Sequence, residues 1–292
     1  MPSVSVRVPA TSANLGPGFD CLGMALDLWA TITVSTGAGG TPNEPMAQMA
    51  RTAARRLYER SGAGSAPELS TRYEGNIPIA RGLGASAVAR VGGALAANAL
   101  AGEPLGREEL LMLVTELEGH ADNVAPAIFG GLQVSVVERG RVLHAGVPLP
   151  EGLSAVLFVP ELRMPTRESR RLLPESLSRG DAVSNIGRAA LLVAALAGGR
   201  FELLDAATQD RLHQPARARL FPAMFAIFDA ARAAGARCAY LSGGGSTICA
   251  LATENEQGIA DAMLEAARSR ETPGSTIITQ PTAKGAEVVS AK

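Results

Sequence analysis

The sequence predicts an α+β fold of two α/β sandwiches, and three observations carry that prediction. Segments with two-residue apolar alternation and segments with helical spacing follow one another along the whole chain. The pattern stops at Pro148-Leu149-Pro150 and then restarts, which divides the chain into residues 1–150 and 151–292. The 292 residues are 47% hydrophobic and only 19% charged, which is enough apolar material to bury a large core in each half.

Residues 4–9 alternate β-branched and polar side chains and read as a strand, followed by a turn over 12–18 and a second strand over 25–34. Residues 37–45 form a loop by composition, and 46–60 a helix ended by Ser61-Gly62. A strand over 69–73 precedes the alanine-rich stretch 87–100, which predicts a buried helix. Residues 107–118 predict another helix, with acidic residues in its first turn where the helix dipole favours them. Residues 132–137 and 141–144 form a hairpin turning at Arg139-Gly140. In the second half, strands are expected over 155–160, 238–241, 247–251 and 275–280, and helices over 166–173, 181–197, 222–234 and 256–268. This order suggests mixed sheets.

Composition removes several chemistries. A net charge of −1 gives no general attraction for nucleic acid or an anionic membrane, so neither is an expected partner. Cys21, Cys238 and Cys249 are widely spaced in apolar surroundings, which fits a reduced cytosolic protein better than a disulfide framework. The N-terminus lacks the basic and apolar segments of a signal peptide, and the apolar stretch 189–197 is too short to span a bilayer; a cytoplasmic location is expected. Lysine occurs only at Lys284 and Lys292. A Walker-A loop and Schiff-base catalysis both need a lysine, so both are excluded unless the tail folds into the site. A phosphate site in this chain must be built from backbone amides, metal and arginine.

Three glycine-containing segments have binding-loop composition. Pro78-Ile79-Ala80-Arg81-Gly82-Leu83-Gly84-Ala85-Ser86-Ala87 joins a permissive backbone to a helix N-terminus, an anion cradle that needs no lysine. Ser86 can place its hydroxyl on phosphate or metal, or simply cap the helix. Residues 8–20, VPATSANLGPGFD, set small polar groups between two strands; Asn14 and Asp20 can receive an ammonium group, or the segment is an Asx turn. Leu241-Ser242-Gly243-Gly244-Gly245-Ser246-Thr247 lets backbone pass close to a ligand or serves as a permissive turn.

In this order and spacing the segments resemble the three signature motifs of the GHMP kinases, over nearly the whole chain. PATSANLGPGFDCLGMAL is similar to the N-terminal signature of the homoserine kinases in that superfamily, as are residues 118–131, EGHADNVAPAIFGG, and His213-Gln214-Pro215-Ala216-Arg217. Two motifs depart slightly: GLGASA stands for the usual GLGSSA and SGGGST for SGAGPT. The resemblance implies an N-terminal ribosomal-protein-S5-like domain with a left-handed βαβ unit and a C-terminal ferredoxin-like α/β sandwich. It implies ATP and Mg²⁺, with L-homoserine as acceptor, and homodimers are common in the family.

On that basis ATP phosphates are expected on Pro78, Arg81, Gly82, Leu83, Gly84, Ala85, Ser86, Ala87 and Gly244, with Mg²⁺ on Ser86 and Glu118. The acceptor is expected on Asn14, Asp20, His120, Asp122, Asn123, Thr166, Arg170 and Arg217, the two arginines taking its carboxylate. The catalytic set is Glu118, Asn123, His120 and Ser86. An amide at Asn123 cannot accept the hydroxyl proton, so direct in-line transfer is expected, with His120 or Asp122 as alternative bases. His144 and His213 are read as a solvent-side strand residue and a loop residue. A mevalonate kinase would want a lysine–aspartate pair at the acceptor, which the lysine-free core lacks. A catalytically silent metabolite binder would be favoured only if Ser86 or Glu118 were missing.

Overall fold

Val4, Val6 and Val8 turn inward on every second residue, so the first strand buries one face from its start. This strand, β1 (Ser3–Ala13), pairs antiparallel with β2 (Leu22–Thr36). The computed structural model describes residues 1–37, 40, 42–62 and 66–291. The loop expected over 37–45 therefore lies partly outside the described residues. β2 is long enough to hold two partners on its other edge: β3 (Leu69–Gly75) against residues 30–36 and β4 (Leu132–Glu138) against residues 22–24. β5 (Arg141–Val147) completes the hairpin with β4.

The helices α1 (Pro45–Ser61), α2 (Ala85–Leu100), α3 (Arg107–Glu118) and α4 (Val124–Phe129) include the connection from β3 to β4. α2 is so rich in alanine and glycine that it sits against both β1 and α1, with Val88, Val91, Ala94 and Ala97 fully buried. Its N-terminus is thereby fixed at the top of the first sheet.

The second sheet runs β7-β8-β6-β9, with β6 (Ser154–Pro160), β7 (Cys238–Leu241), β8 (Ile248–Ala252) and β9 (Gly274–Thr279). Its helices are α5 (Thr166–Arg171), α6 (Arg179–Ala197), α7 (Leu204–Ala207), α8 (Gln214–Arg217), α9 (Met224–Ala233) and α10 (Glu256–Arg268). The two-residue period of β6 divides its side chains between two cores. Ala155 and Leu157 pack with the first sheet's core, and Val156 and Phe158 pack under α9 and α10. One apolar core thus runs between the two sheets.

Strand pairing corrects one expectation: every pairing among the described strands is antiparallel, not mixed. β3 and β4 run in the same direction, but end to end along one edge of β2, so the helical crossover joins strands that never pair with each other. The tail adds an unexpected strand, β10 (Glu287–Ala291), which returns to the first sheet and pairs with β1.

Candidate active site

Loops and helix ends from both sheets meet in a cleft of about 390 Å³. From the β1–β2 loop come Asn14 and Asp20, both with left-handed backbone (φ 70° and 59°), an uncommon conformation for residues with side chains. Asn14 holds the loop's shape by accepting from the Asp20 N–H (3.0 Å) and donating to the Gly243 carbonyl (2.9 Å). The glycine loop before α2 lies beneath. Its Gly82 carbonyl accepts from Ser242 Oγ (2.7 Å), and Ser242 contacts Ser12 Oγ at 2.8 Å, so the three expected motifs are stitched to one another.

Gly84 is the tightest point of that loop. It caps α2 with φ 68°, and a Cβ there would lie 1.9 Å from Thr11 Oγ1. Thr11 is itself engaged, donating to Asn123 Oδ1 at 2.7 Å. Gly84→Ala should therefore cost about 1–3 kcal/mol from backbone strain alone, read as a lower urea midpoint. An unchanged midpoint would remove the close approach as the reason for glycine.

Glu118 ends α3, and Gly119 (φ 87°) turns the chain so that His120, Asp122 and Asn123 follow it into the cleft. Ser86 donates to one carboxylate oxygen of Glu118 and Arg90 to the other. Asn123 accepts from Thr11 and donates to Asp122 Oδ1 (3.1 Å), so its amide is oriented by both neighbours. His120 Nδ1 contacts the same Asp122 oxygen at 2.5 Å. Burial pushes the His120 imidazole down, but the hydrogen bond and charge of Asp122, with Glu118 behind, outweigh it and hold the group above its ordinary value.

Across the cleft, Arg170 of α5 makes a bidentate pair with Asp20 at 2.6 and 2.7 Å. Arg217, at the end of α8, is 1% exposed; its Nη1 donates to His213 Nδ1 (2.8 Å) and to the Gly243 carbonyl (3.0 Å), and its buried Nε has no partner. Burial, with Arg170 nearby, lowers its guanidinium to about 10, so it stays charged at neutral pH. Both guanidinium groups stand over the Phe19 ring, at 5.2 and 5.5 Å.

Nearly all the residues expected from sequence come together here. Pro78, Arg81 and Ala87 do not line the cleft. Ala87 is buried in the core, and Arg81 donates instead to the carbonyls of Pro160 (2.8 Å) and Glu161 (2.7 Å), tying the glycine loop to the second sheet. Thr166 starts α5, but its side chain lies outside the described residues. Lys284 is exposed and away from the cleft, and Lys292 lies outside the described residues.

The chain matches the GHMP kinases N terminal domain over residues 48–131 and the GHMP kinases C terminal domain over residues 192–269. A homoserine kinase of Moorella thermoacetica is 44% identical over 271 residues, covering 89% of this chain and 91% of the relative. The chain belongs to the homoserine kinase family. A second member, from Carboxydothermus hydrogenoformans, is 38% identical over 97% of this chain and 96% of its own. The crystal structure of the Cytophaga hutchinsonii homoserine kinase superposes with a TM-score of 0.88 at 28% identity, covering 98% of this chain and 97% of that one. A mevalonate diphosphate decarboxylase from Staphylococcus aureus shares the fold at a TM-score of 0.74 and 15% identity, over 99% of this chain and 98% of that one. Membership in this kinase family implies ATP as the phosphoryl donor.

The homoserine kinase motifs did not point to Arg90, which lines the cleft. Its signal is helical spacing: it stands four residues after Ser86, on the same face of α2. His213 is the loop residue expected, just before α8, but it is fully buried and bonded to Arg217, which the sequence did not reveal. Burial, reinforced by Arg217, keeps its imidazole well below its ordinary 6.5, against the opposing pull of Asp210 and Asp20. The unfolded chain therefore binds a proton here that the folded one refuses. The contribution of His213 to stability should be full above about pH 6.5 and fall as pH drops below it, while His120, held above its ordinary value, acts in the opposite sense. The urea-midpoint difference between the unmodified protein and His213→Gln should therefore shrink from pH 7.5 to 5, and a difference that does not change with pH would contradict a neutral buried His213.

Proposed function

We propose that the protein transfers the γ-phosphoryl group of ATP to the side-chain hydroxyl of L-homoserine, giving O-phospho-L-homoserine and ADP, a step of threonine biosynthesis. The observation that carries this reading is the cleft's polarity. A glycine cradle with Ser86 and Glu118 lies on one side, and two arginines with Asp20 lie on the other. The first side suits phosphates and the second suits a zwitterionic amino acid. The acceptor would enter by ion exchange, its ammonium replacing Arg170 on Asp20 and its carboxylate replacing Asp20 on Arg170. Arg217 lines the same side of the cleft, and its guanidinium supplies a further donor for that carboxylate.

The Ser86 hydroxyl and the Glu118 carboxylate are adjacent hard oxygen donors and fit Mg²⁺, which takes few protein ligands when phosphates complete its shell. When bound, the ion would neutralise charge on the phosphates. Arg90 and Ser86 hold Glu118 in place, and the N–H groups at the start of α2 face the phosphates. Asn123, with its oxygen occupied by Thr11, serves to position the hydroxyl and is not a proton acceptor. Direct in-line transfer follows, with proton loss to phosphate or solvent.

The division at residues 150/151 belongs to the same reading, residues 1–150 forming the ATP-binding part and 151–292 the remainder, apart from β10. So does a cytoplasmic, membrane-free location. α6 is apolar for its length, with a mean hydropathy of 1.2, but it is tied to the protein by Asn185 on Asp210 (2.7 Å) and Arg188 on the Ala206 carbonyl (3.2 Å). A homodimer is the expected assembly, supported by exposed Val136, Val137 and Leu143 on the hairpin and Val183 and Ile186 on α6; light scattering at one protomer's mass would exclude it.

ADP release with Mg·ATP, measured across L-homoserine, mevalonate, galactose and shikimate, tests the acceptor. Turnover should be confined to homoserine. Activity on another of these acceptors without activity on homoserine would overturn the reading.

A further inference from the structure

The hydrogen bonds around His213 determine which of its nitrogens carries the proton. Its Nε2 lies 2.7 Å from the Gly16 carbonyl oxygen, which can only accept, so Nε2 must carry hydrogen. Its Nδ1 lies 2.8 Å from Arg217 Nη1, which can only donate, so Nδ1 must offer its lone pair. Only the neutral Nε2–H tautomer satisfies both partners. The ring is fully buried, and Phe19 packs on it with centroids 5.5 Å apart, so it has little room to turn. Asp210 comes within 3.7 Å of Nε2 but spends its oxygens on Asn185 Nδ2 and on the backbone N–H groups of Leu212, His213 and Gln214.

The same ring touches both sides of the acceptor end of the cleft. Gly16 belongs to the loop that carries Asn14 and Asp20, and Arg217 shares the Gly243 carbonyl with Asn14. Nη1 is committed to His213 and Gly243, and these two bonds hold the guanidinium in place on the wall of the cleft. We infer that His213 is a positioning residue for acceptor recognition: through its neutral tautomer it fixes Arg217 to receive a carboxylate and holds Arg217 in register with the loop that receives the ammonium. This inference rests on the homoserine reading above.

Two substitutions separate its two bonds. His213→Gln can keep a donor near the Nε2 place for Gly16 but loses the acceptor for Arg217. His213→Asn can keep an acceptor oxygen near the Nδ1 place but loses the donor. We expect His213→Gln to raise KM for homoserine about tenfold or more, as for a lost hydrogen bond to a charged group, with kcat changed less than about threefold. His213→Asn should recover most of that KM even where its melting temperature is the lower of the two. In the unmodified protein, nitrogen NMR of the labelled histidines should show His213 as the neutral Nε2–H tautomer at pH 7.5, a readout that does not depend on any variant folding. A KM for His213→Gln within about twofold of the unmodified enzyme, an Nδ1–H tautomer, or equal KM losses in both variants that track their melting temperatures would each overturn the assignment while leaving the homoserine reading intact. Inactivity of the unmodified protein on homoserine would overturn both.

Discussion

Glu118→Ala should lower kcat by about 10²–10³-fold, the range found when one preorganised group that stabilises transition-state charge is removed. Two effects combine. The carboxylate accepts from Ser86 and Arg90 together, so its loss frees the serine hydroxyl and leaves a half-buried guanidinium unpaired beside the phosphate cradle. The proposed Mg²⁺ also loses its only carboxylate in this arrangement. Steady-state kinetics should show KM for homoserine almost unchanged, because Glu118 belongs to the phosphate side of the cleft, while the Mg²⁺ concentration for half-maximal rate rises. Ser86→Ala should follow the same pattern less severely. A Glu118→Ala enzyme with unaltered kcat would remove this carboxylate from the chemistry.

Arg170→Ala should act in the other direction, raising KM for homoserine more than it lowers kcat. Truncating one member of a hydrogen-bonded charge pair costs about 2–5 kcal/mol, or about 30-fold to several thousandfold in kcat/KM. The lower end is expected, since the Arg170 and Asp20 side chains are 35% and 34% exposed and water screens part of their interaction. The loss should be nearly absent for 3-aminopropan-1-ol, an acceptor without the carboxylate. Equal losses with both acceptors would mean that Arg170 supports the Asp20 loop and does not bind a carboxylate. Arg217 is the poorer probe because, fully buried and bonded to His213 and Gly243, its removal disturbs folding as well.

Elements with their own periodicity were legible in the sequence. The helix expected over 107–118 has those bounds, and the hairpin turns where Arg139-Gly140 predicts. What the sequence concealed depends on distant partners. Glu287–Ala291 is only five residues long, with its two valines adjacent and exposed and without apolar alternation, and it pairs with the open edge of β1. Val124–Phe129 is a single short helix with Pro126 inside it, below the length at which a periodic pattern can be recognised. Mixed sheets were the natural inference from alternating strands and helices, but the sequence does not reveal that β3 and β4 share one edge of β2 end to end. At the site, motif resemblance located Ser86, Glu118, Asn123, Arg170 and Arg217, because each sits in or beside a glycine-marked loop or a short polar signature. It could not separate Arg81, drawn off by two carbonyls of the second sheet, from Arg90, which a helical turn brings to Glu118.

The cations lining the cleft, Arg90, Arg170 and Arg217, are all arginines, and the described lysine stands exposed on the tail at Lys284. Guanidinium groups do not undergo the acylation that regulates many lysine-dependent phosphate sites. Among the described residues, reversible acetylation therefore has no handle in this active site. Attaching a dye or a solid support through the Lys284 amine should leave turnover intact.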